Sequence, residues 1–148
     1  MQYFEGGLGR TTGVVMEWKH LDYVISDDKS LINPAAVHGF LRTSYWAADR
    51  SLEIVQKSIE NSLCFGVYLD GEQVGFARAV TDGATTAFLA DVIIEQSHRG
   101  RGLGKKVVAA AMEHPQIAEL THILKTKDAH GLYEQFGFIR SEFMIKRR

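Results

Sequence analysis

The chain has 148 residues, of which 45% are hydrophobic and 24% charged, and its formal net charge is −1. This length fits one domain with a core of its own, and the composition excludes a chain that is disordered throughout. A pI near 6.6 argues against a nucleic-acid-binding protein, which is usually basic. The single cysteine, Cys64, cannot form a disulfide within the chain, which favours a reducing compartment such as the cytoplasm. No apolar run approaches the roughly 18 residues that a membrane span needs.

The first half of the chain predicts a leader, a strand and two helices. Residues 1–15 are glycine-rich and polar, so we expect a flexible or artificial leader there and a single domain over residues 16–148. The segment YVISDD predicts a short strand. Asn33-Pro34 indicates the start of a helix, because proline is favoured in the first turn. A second helix is expected over residues 47–62, where apolar side chains recur at helical spacing.

The second half predicts a sheet interrupted by helices. CFGVYLD and EQVGFARAV flank Asp70-Gly71, a strong hairpin signal, and TTAFLADVIIE follows as a third strand. An alanine-rich helix then ends at Pro115, and the strand THILKTK, the short helix DAHGLYEQF and the strand FIRSEFMIKR complete the chain. This order predicts an α+β fold with three layers, in which helices flank a single mixed, mostly antiparallel sheet.

The segment HRGRGLGKK, residues 98–106, places Gly100, Gly102 and Gly104 between a predicted strand and a predicted helix. The first amides of a helix lack partners and carry partial positive charge, and glycine lets a phosphate approach them closely. Basic residues flank these glycines, namely Arg99, Arg101, Lys105 and Lys106. The segment therefore predicts a pyrophosphate site, the alternative being a tight turn with a solvated basic rim. The glycine spacing fits neither a Walker A loop nor a dinucleotide fingerprint.

Two segments resemble signatures of the GNAT superfamily of N-acetyltransferases. Arg99-x-x-Gly102-x-Gly104 is similar to R/Q-x-x-G-x-G/A, and the segment from Ala129 to Phe138 is similar to A-x-x-L-Y-x-x-x-G-F. The two lie in the family's order, and the resemblance covers about Trp18 to the C-terminus. It implies a GNAT-like sheet that splays around a cofactor cleft, and it implies acetyl-CoA as the cofactor.

The resemblance also implies roles for single residues. The strand before the glycines would pair with the pantetheine arm through the backbones of Val92, Ile93 and Ile94. The loop after it would hold the pyrophosphate, and comprises Arg99, Gly100, Arg101, Gly102, Leu103, Gly104 and Lys105. Tyr133 would lie beside the thioester and protonate the departing thiolate, a role that suits a phenol with a pKa near 10. Packing over the core is the alternative for Tyr133. Many family members have Asn where this chain has Thr126.

The acceptor side carries weaker signals. Transfer to an amine requires a base for the ammonium proton, and Asp91, which interrupts the apolar strand AFLADVII, is a candidate. A salt-bridged carboxylate explains Asp91 equally well.

Tyr45 and Trp46 are expected to shape the acceptor pocket, although aromatic residues at a helix end are commonly core. Arg78 is expected to face the cleft and bind a carboxylate, with exposure on the sheet as the alternative. No histidine shows metal-ligand spacing, so no metal site is predicted.

The sequence therefore predicts a cytoplasmic enzyme that transfers the acetyl group of acetyl-CoA to a primary amine of a small molecule, an amino-acid-like metabolite or a protein. The alternative is a catalytically weak GNAT-like module that binds or senses acyl-CoA. A longer acyl group stays open, because the sequence does not reveal the depth of the pocket. No nucleic-acid or membrane partner is expected, and the resemblance makes a homodimer reasonable.

Overall fold

A computed structural model describes residues 14–148 in full and, before them, only the backbones of two short segments. These segments are the strands β1 (Phe4–Glu5) and β2 (Gly9–Arg10), which pair antiparallel. Most of the expected leader, residues 1–15, thus lies outside the described residues.

The remaining strands form a six-stranded sheet in the order β3-β4-β5-β6-β7-β8. Their bounds are β3 (Glu17–His20), β4 (Tyr23–Ser26), β5 (Leu63–Leu69), β6 (Glu72–Thr81), β7 (Thr86–Ile94) and β8 (Thr121–Ile123). Neighbouring strands are antiparallel except β7 and β8, which are parallel. The predicted α+β fold with a mixed, mostly antiparallel sheet is confirmed.

Helices cover both faces of this sheet. Their bounds are α1 (Pro34–Arg42), α2 (Leu52–Glu60), α3 (Leu103–Glu113) and α4 (His130–Glu134). One apolar cluster joins α1 and α2 to the sheet, and a second joins α3 to strands β4 to β7. Cys64 belongs to the first cluster, where burial raises the pKa of its thiol to about 11. The three predicted layers are therefore present.

The ends of α1 and α2 follow from capping residues. The Asn33 side chain accepts hydrogen bonds from the amides of Ala35 and Ala36, so α1 begins at Pro34 as predicted. The Ser51 side chain accepts from the amide of Ile54 and begins α2 at Leu52, several residues later than the sequence pattern indicates. Residues 43–51 are consequently a connection between the helices, and this connection contributes to the site described below.

Two strand predictions are wrong. The sequence pattern missed β3, which forms a hairpin with β4 across Leu21 at φ 54°, a turn without the usual glycine or asparagine signal. The expected last strand, FIRSEFMIKR, is not formed: within the described residues no strand follows β8. Its apolar residues stay exposed, with Ile139 at 86% and Met144 at 99%. An alternating apolar pattern forms a strand only where a sheet edge is available to pair with it. The pattern itself carries no information about whether such an edge lies nearby.

The sheet opens between β7 and β8. These strands pair only at Thr86–Thr121, Ala87–His122 and Phe88–Ile123. Beyond Phe88, β7 continues to Ile94 and pairs with β6 alone. The splay predicted for the cofactor cleft is thus present in the strand pairing. Among the described residues, no helix has the length and apolarity to span a membrane.

Candidate active site

A β-bulge distorts β7 at the wide part of the cleft. Arg78 pairs with Ala90 and Phe76 with Ile93, so Asp91 and Val92 together lie opposite Ala77. Asp91 adopts φ 55°, a left-handed conformation that aspartate tolerates better than most residues. The bulge brings the Asp91 carboxylate against the connection between α1 and α2.

Asp91 lies at the centre of a buried ionic cluster. Its Oδ2 accepts hydrogen bonds from Nη1 of Arg50 and from Nε of Arg78, each at 2.7 Å. Its Oδ1 accepts from Nε1 of Trp46 at 2.9 Å. The Asp91 side chain is 2% exposed, whereas the side chains of Arg50 and Arg78 are 22% and 14% exposed. We refer to Asp91, Arg50, Arg78 and Trp46 as the Asp91 cluster.

The cluster determines how Asp91 titrates. Burial by itself raises the pKa of its carboxyl group, but the charges of Arg78 and Arg50 and the hydrogen bonds from Arg78 and Trp46 outweigh this effect. The net result is a lowered pKa, so Asp91 is ionised at neutral pH and tightly paired. Such a carboxylate has little basicity, which favours the salt-bridged alternative over the role of general base.

Tyr45 and Trp46 lie on the surface of the cleft. They are 58% and 42% exposed, which excludes the alternative that they belong to the core. Their rings meet edge to face at 5.1 Å. The Tyr45 hydroxyl accepts a hydrogen bond from the amide of Lys127 at 3.2 Å. The connection between α1 and α2 therefore touches the segment between β8 and α4, across the opening of the sheet.

Tyr133 belongs to α4 and is half-buried. Its ring packs edge to face against Phe138 at 5.9 Å. Its hydroxyl forms no hydrogen bond with the described residues and is not among their buried, unpartnered atoms, so it faces accessible space. Burial raises the pKa of Tyr133, and the neighbouring Tyr45 and Asp128 raise it further. The phenol is therefore protonated at neutral pH. The ring packs against the apolar cluster of α3 and the sheet, as the alternative of packing over the core expects, while the hydroxyl stays available.

The predicted cofactor loop ends in a helix start without a side-chain cap. Gly100 and Gly102 adopt φ 80° and 78°, which a side chain would disfavour, and Gly102 is the N-cap of α3. The first helical hydrogen bond here is donated by the Lys106 amide to the Gly102 carbonyl. The amides of residues 103–105 thus donate to no group of the described residues. A Cβ added at Gly100 or Gly104 would meet nothing within 4 Å. An anionic group fits this open, amide-lined helix start.

The hairpin of β3 and β4 is hydrogen-bonded to the predicted cofactor loop and stabilises it. Nη1 of Arg101 donates to the Tyr23 hydroxyl at 2.6 Å, and that hydroxyl bonds Nδ1 of His98 at 2.8 Å. Nε2 of His20 donates to the Arg101 carbonyl at 2.7 Å. Nε of Arg99 donates to the Ile94 carbonyl at 2.8 Å and ties the loop to the end of β7. Arg99 and Arg101 therefore position the loop, while Lys105 is exposed beside it.

Sequence reasoning missed the supporting residues. His20 and Tyr23 belong to a hairpin far from the loop in sequence, and Arg50 lies outside both motifs, in the connection between α1 and α2. No local pattern distinguishes these residues from ordinary surface positions.

Thr126, which replaces the family's Asn, accepts a hydrogen bond from the Ala129 amide at 2.9 Å and stabilises the turn before α4. Within residues 14–148, no group of His, Cys, Asp and Glu side chains is arranged to hold a metal ion.

Comparison with known proteins identifies the family. The family described as Acetyltransferase (GNAT) family matches residues 29–138, which include both motifs and the Asp91 cluster. The chain belongs to the GNAT family of acetyltransferases. Acetyl transfer is the activity for which this family is named.

Solved structures share this fold. A protein of Xanthomonas campestris pv. campestris, assigned to the GNAT family as an acetyltransferase, is 41% identical with a TM-score of 0.82, over 88% of this chain and 95% of that one. A Deinococcus radiodurans protein with the same kind of assignment is 22% identical with a TM-score of 0.72, over 90% of this chain and 94% of that one. At 22% identity the second likeness shows the fold alone.

Curated relatives match over part of their length. An assigned acetyltransferase of Gibberella zeae is 32% identical in an alignment 108 residues long that covers 60% of this chain and 61% of the relative. An uncharacterized N-acetyltransferase of Pyropia yezoensis, ycf52, is 31% identical over 97 residues, or 64% of this chain and 51% of the relative. The chain thus spans 61% and 51% of the length of these two relatives.

Proposed function

We propose that the protein transfers the acetyl group of acetyl-CoA to a primary amine of a small molecule, an amino-acid-like metabolite or a protein. The observation that carries the proposal is that two stretches of backbone with unpaired hydrogen-bonding groups lie along one cleft. One is the uncapped start of α3, and the other is the edge of β7 that has no strand beside it after Phe88. GNAT family membership supplies acetyl-CoA as the expected donor.

Different residues of the cleft would contact different parts of coenzyme A. The amides of Leu103, Gly104 and Lys105 would hold the pyrophosphate, with Gly100 and Gly102 keeping the approach free of side chains. The backbones of Val92 to Ile94 would pair with the amides of the pantetheine arm as an added strand does. The Ile94 carbonyl already accepts a hydrogen bond from Nε of Arg99, which makes that carbonyl less available to the pantetheine arm.

Tyr133 is the proposed acid. Bound acetyl-CoA supplies an activated acetyl thioester, whose sulfur leaves as a thiolate. The Tyr133 phenol is protonated at neutral pH and its hydroxyl is uncommitted, so it can donate a proton or a hydrogen bond to that sulfur. Holding both reactants in one cleft supplies a further part of the acceleration.

The acceptor amine is proposed to bind in its neutral form. Asp91 is ionised and paired with Arg50 and Arg78, and we propose that it positions these residues instead of removing a proton. Tyr45 and Trp46 remain the proposed walls of the acceptor pocket. On this account kcat/KM rises with pH along the titration of the acceptor itself.

Thiol release from acetyl-CoA tests the proposal. A panel of primary amines is added to the purified protein, and free coenzyme A is measured with a thiol reagent. Release stimulated by at least one amine, with the acetylated amine identified by mass spectrometry, supports the proposal. Tight coenzyme A binding without stimulated release by any amine would contradict it.

That contradicting outcome favours the second candidate, a module that binds or senses acyl-CoA. The engagement of Asp91 by Arg50 and Arg78 is the observation in its favour, because it removes the candidate base. Comparing acetyl-CoA with longer acyl-CoA donors in the same assay decides the acyl group. The homodimer and the cytoplasmic location stay predictions, testable by light scattering and by fractionation of cells.

A further inference from the structure

We propose that the Asp91 cluster recognises a carboxylate on the acceptor, so that the acceptor is an amino acid or another amine with a carboxylate close to it. This inference rests on the proposed acetyl transfer and deepens it by naming the chemical class of the acceptor.

The charge of the cluster is the first reason. Two guanidinium groups share one carboxylate, which leaves one net positive charge within a partly buried site. An unbalanced charge in such a site is unfavourable unless it is solvated or paired. A bound anion would balance it.

The unused donors are the second reason. Arg50 donates through Nη1 to Asp91, and its other guanidinium nitrogens bond no described residue. Arg78 uses Nε for Asp91 and Nη1 for the Ser62 hydroxyl at 3.2 Å, which leaves Nη2. Guanidinium groups bind carboxylates through two parallel hydrogen bonds. Arg50 has more unused donors than Arg78 and is more exposed, so Arg50 is the residue proposed to contact the acceptor carboxylate. Arg78 mainly holds Asp91 in place.

The position of the cluster is the third reason. A continuous series of contacts leads from Asp91 to Trp46 by a hydrogen bond of 2.9 Å, and from Trp46 to Tyr45 by the edge-to-face ring contact. The Tyr45 hydroxyl in turn accepts a hydrogen bond from the Lys127 amide, in the segment that leads into α4 and Tyr133. The aromatic pair thus joins the cationic cluster to the segment before the helix that carries the proposed acid. A short acceptor with an amine at one end and a carboxylate at the other matches this arrangement.

Arg50 is held in place for such a role. Its backbone carbonyl accepts a hydrogen bond from Nε2 of His38 at 3.0 Å. Its Nη1 is fixed by Asp91, so the rest of the guanidinium group is oriented before a ligand arrives. A preoriented donor loses less conformational entropy on binding.

The experiment compares acceptors that differ only in charge. The twenty common amino acids and their carboxamides serve as acceptors, together with aminomethylphosphonate as a phosphonate analogue of glycine. For the amino acid that is accepted, we expect kcat/KM to exceed that of its carboxamide by about tenfold or more, the loss typical of one charged hydrogen-bond pair. The carboxamide has the less basic amine and thus more of the neutral form, so this preference cannot arise from amine basicity.

Variants connect the preference to Arg50. In Arg50→Gln the ratio between amino acid and carboxamide should fall to within about twofold, and Arg50→Lys should restore part of it. Lys57→Gln removes one positive charge from an exposed position on α2 and is the matched control, expected to keep the wild-type ratio. Equal use of acid and carboxamide by the wild type, or an unchanged ratio in Arg50→Gln, would overturn the inference. A preference for the phosphonate over every amino acid would overturn the choice of a carboxylate.

A binding measurement separates this inference from the proposed function. If no amine stimulates thiol release, the proposed function fails, and the amino acids and carboxamides are titrated into the coenzyme A-saturated protein in a calorimeter. Saturable binding of an amino acid that Arg50→Gln weakens about tenfold would sustain the carboxylate site. Absence of carboxylate-dependent binding would overturn it independently of catalysis.

Discussion

The two sides of the cleft are constructed in different ways. The proposed cofactor side is one continuous segment, residues 98–106, and it presents backbone amides made accessible by glycine. The proposed acceptor side gathers side chains from the connection after α1, from β6 and from β7 around the Asp91 carboxylate. The cofactor side therefore depends on local backbone conformation, whereas the acceptor side depends on ionic contacts between distant parts of the chain. Substitutions on the two sides should consequently fail differently.

The largest effect is expected at Asp91. Asp91→Asn keeps a residue that tolerates φ 55° but leaves Arg50 and Arg78 without their shared anion. We expect the free energy of unfolding to fall by about 3 kcal/mol, as for removal of one partner from a buried ion pair. Denaturant titration measures it, with Asp49→Asn as a control at an exposed position. A loss below about 0.5 kcal/mol, the range of ordinary surface substitutions, would show that the acceptor side does not depend on this carboxylate.

Tyr133→Phe should act on turnover alone. Removing the hydroxyl removes the proposed acid but keeps the ring contact with Phe138. We expect kcat to fall about 100-fold, the lower range for general acid catalysis, with the coenzyme A dissociation constant within about twofold. Tyr68→Phe is the matched control, because the Tyr68 hydroxyl is buried without a partner. Steady-state kinetics in which both variants retain wild-type kcat would remove Tyr133 from the acid role.

Gly104→Val should separate stability from cofactor binding. Gly104 lies in the first turn of α3, where valine is a better helix former than glycine by about 0.3 kcal/mol. The family's signature accepts glycine or alanine here, and the branched valine side chain exceeds both, so it projects into the space proposed for the pyrophosphate. We expect coenzyme A to bind about tenfold more weakly, roughly 1.4 kcal/mol. Calorimetry and thermal unfolding measure the two effects.

Gly39→Val provides the comparison for that result. Gly39 lies in α1, and a Cβ there also meets nothing within 4 Å. It should raise stability similarly and leave coenzyme A binding unchanged. Equal coenzyme A affinity in both variants would show that the open space at Gly104 is not used by the cofactor.

The smallest effect is a pH dependence of the acceptor side. The pKa of Asp91 is lowered in the folded protein, so its pairing stabilises the fold above the unfolded pKa of about 4 and is lost as pH falls through the folded value. The difference in unfolding free energy between the wild type and Asp91→Asn should therefore be constant near neutral pH and shrink below about pH 4. Denaturant titrations at several pH values measure it, and a difference that grows on acidification would contradict the assigned ionisation.

The same contrast explains what could be predicted from the sequence. The glycine-rich turn before α3 and the short helix that contains Tyr133 could be predicted because the signals for each lie in contiguous residues. The hairpin at Asp70-Gly71 and the start of α1 were readable for the same reason, since their signals lie in adjacent residues.

The rest depends on contacts that no local pattern encodes. Arg50 reaches Asp91 across 41 positions and Arg101 reaches Tyr23 across 78, so neither contact follows from periodicity. The sequence offered both a catalytic and a salt-bridged interpretation of Asp91, and the choice required the position of Arg50. The strand expected after Phe138 was wrong for a related reason, because its pairing depends on an edge elsewhere in the fold.

Calorimetric titration of the purified protein with coenzyme A, compared with pantetheine, tests the central claim most directly. The uncapped amides at the start of α3 predict saturable uptake of coenzyme A at one site per chain. They also predict binding of pantetheine, which lacks the pyrophosphate and the nucleotide attached to it, at least about 100-fold weaker, roughly 2.8 kcal/mol. Equal affinity for the two compounds, or no uptake of coenzyme A, would contradict the account.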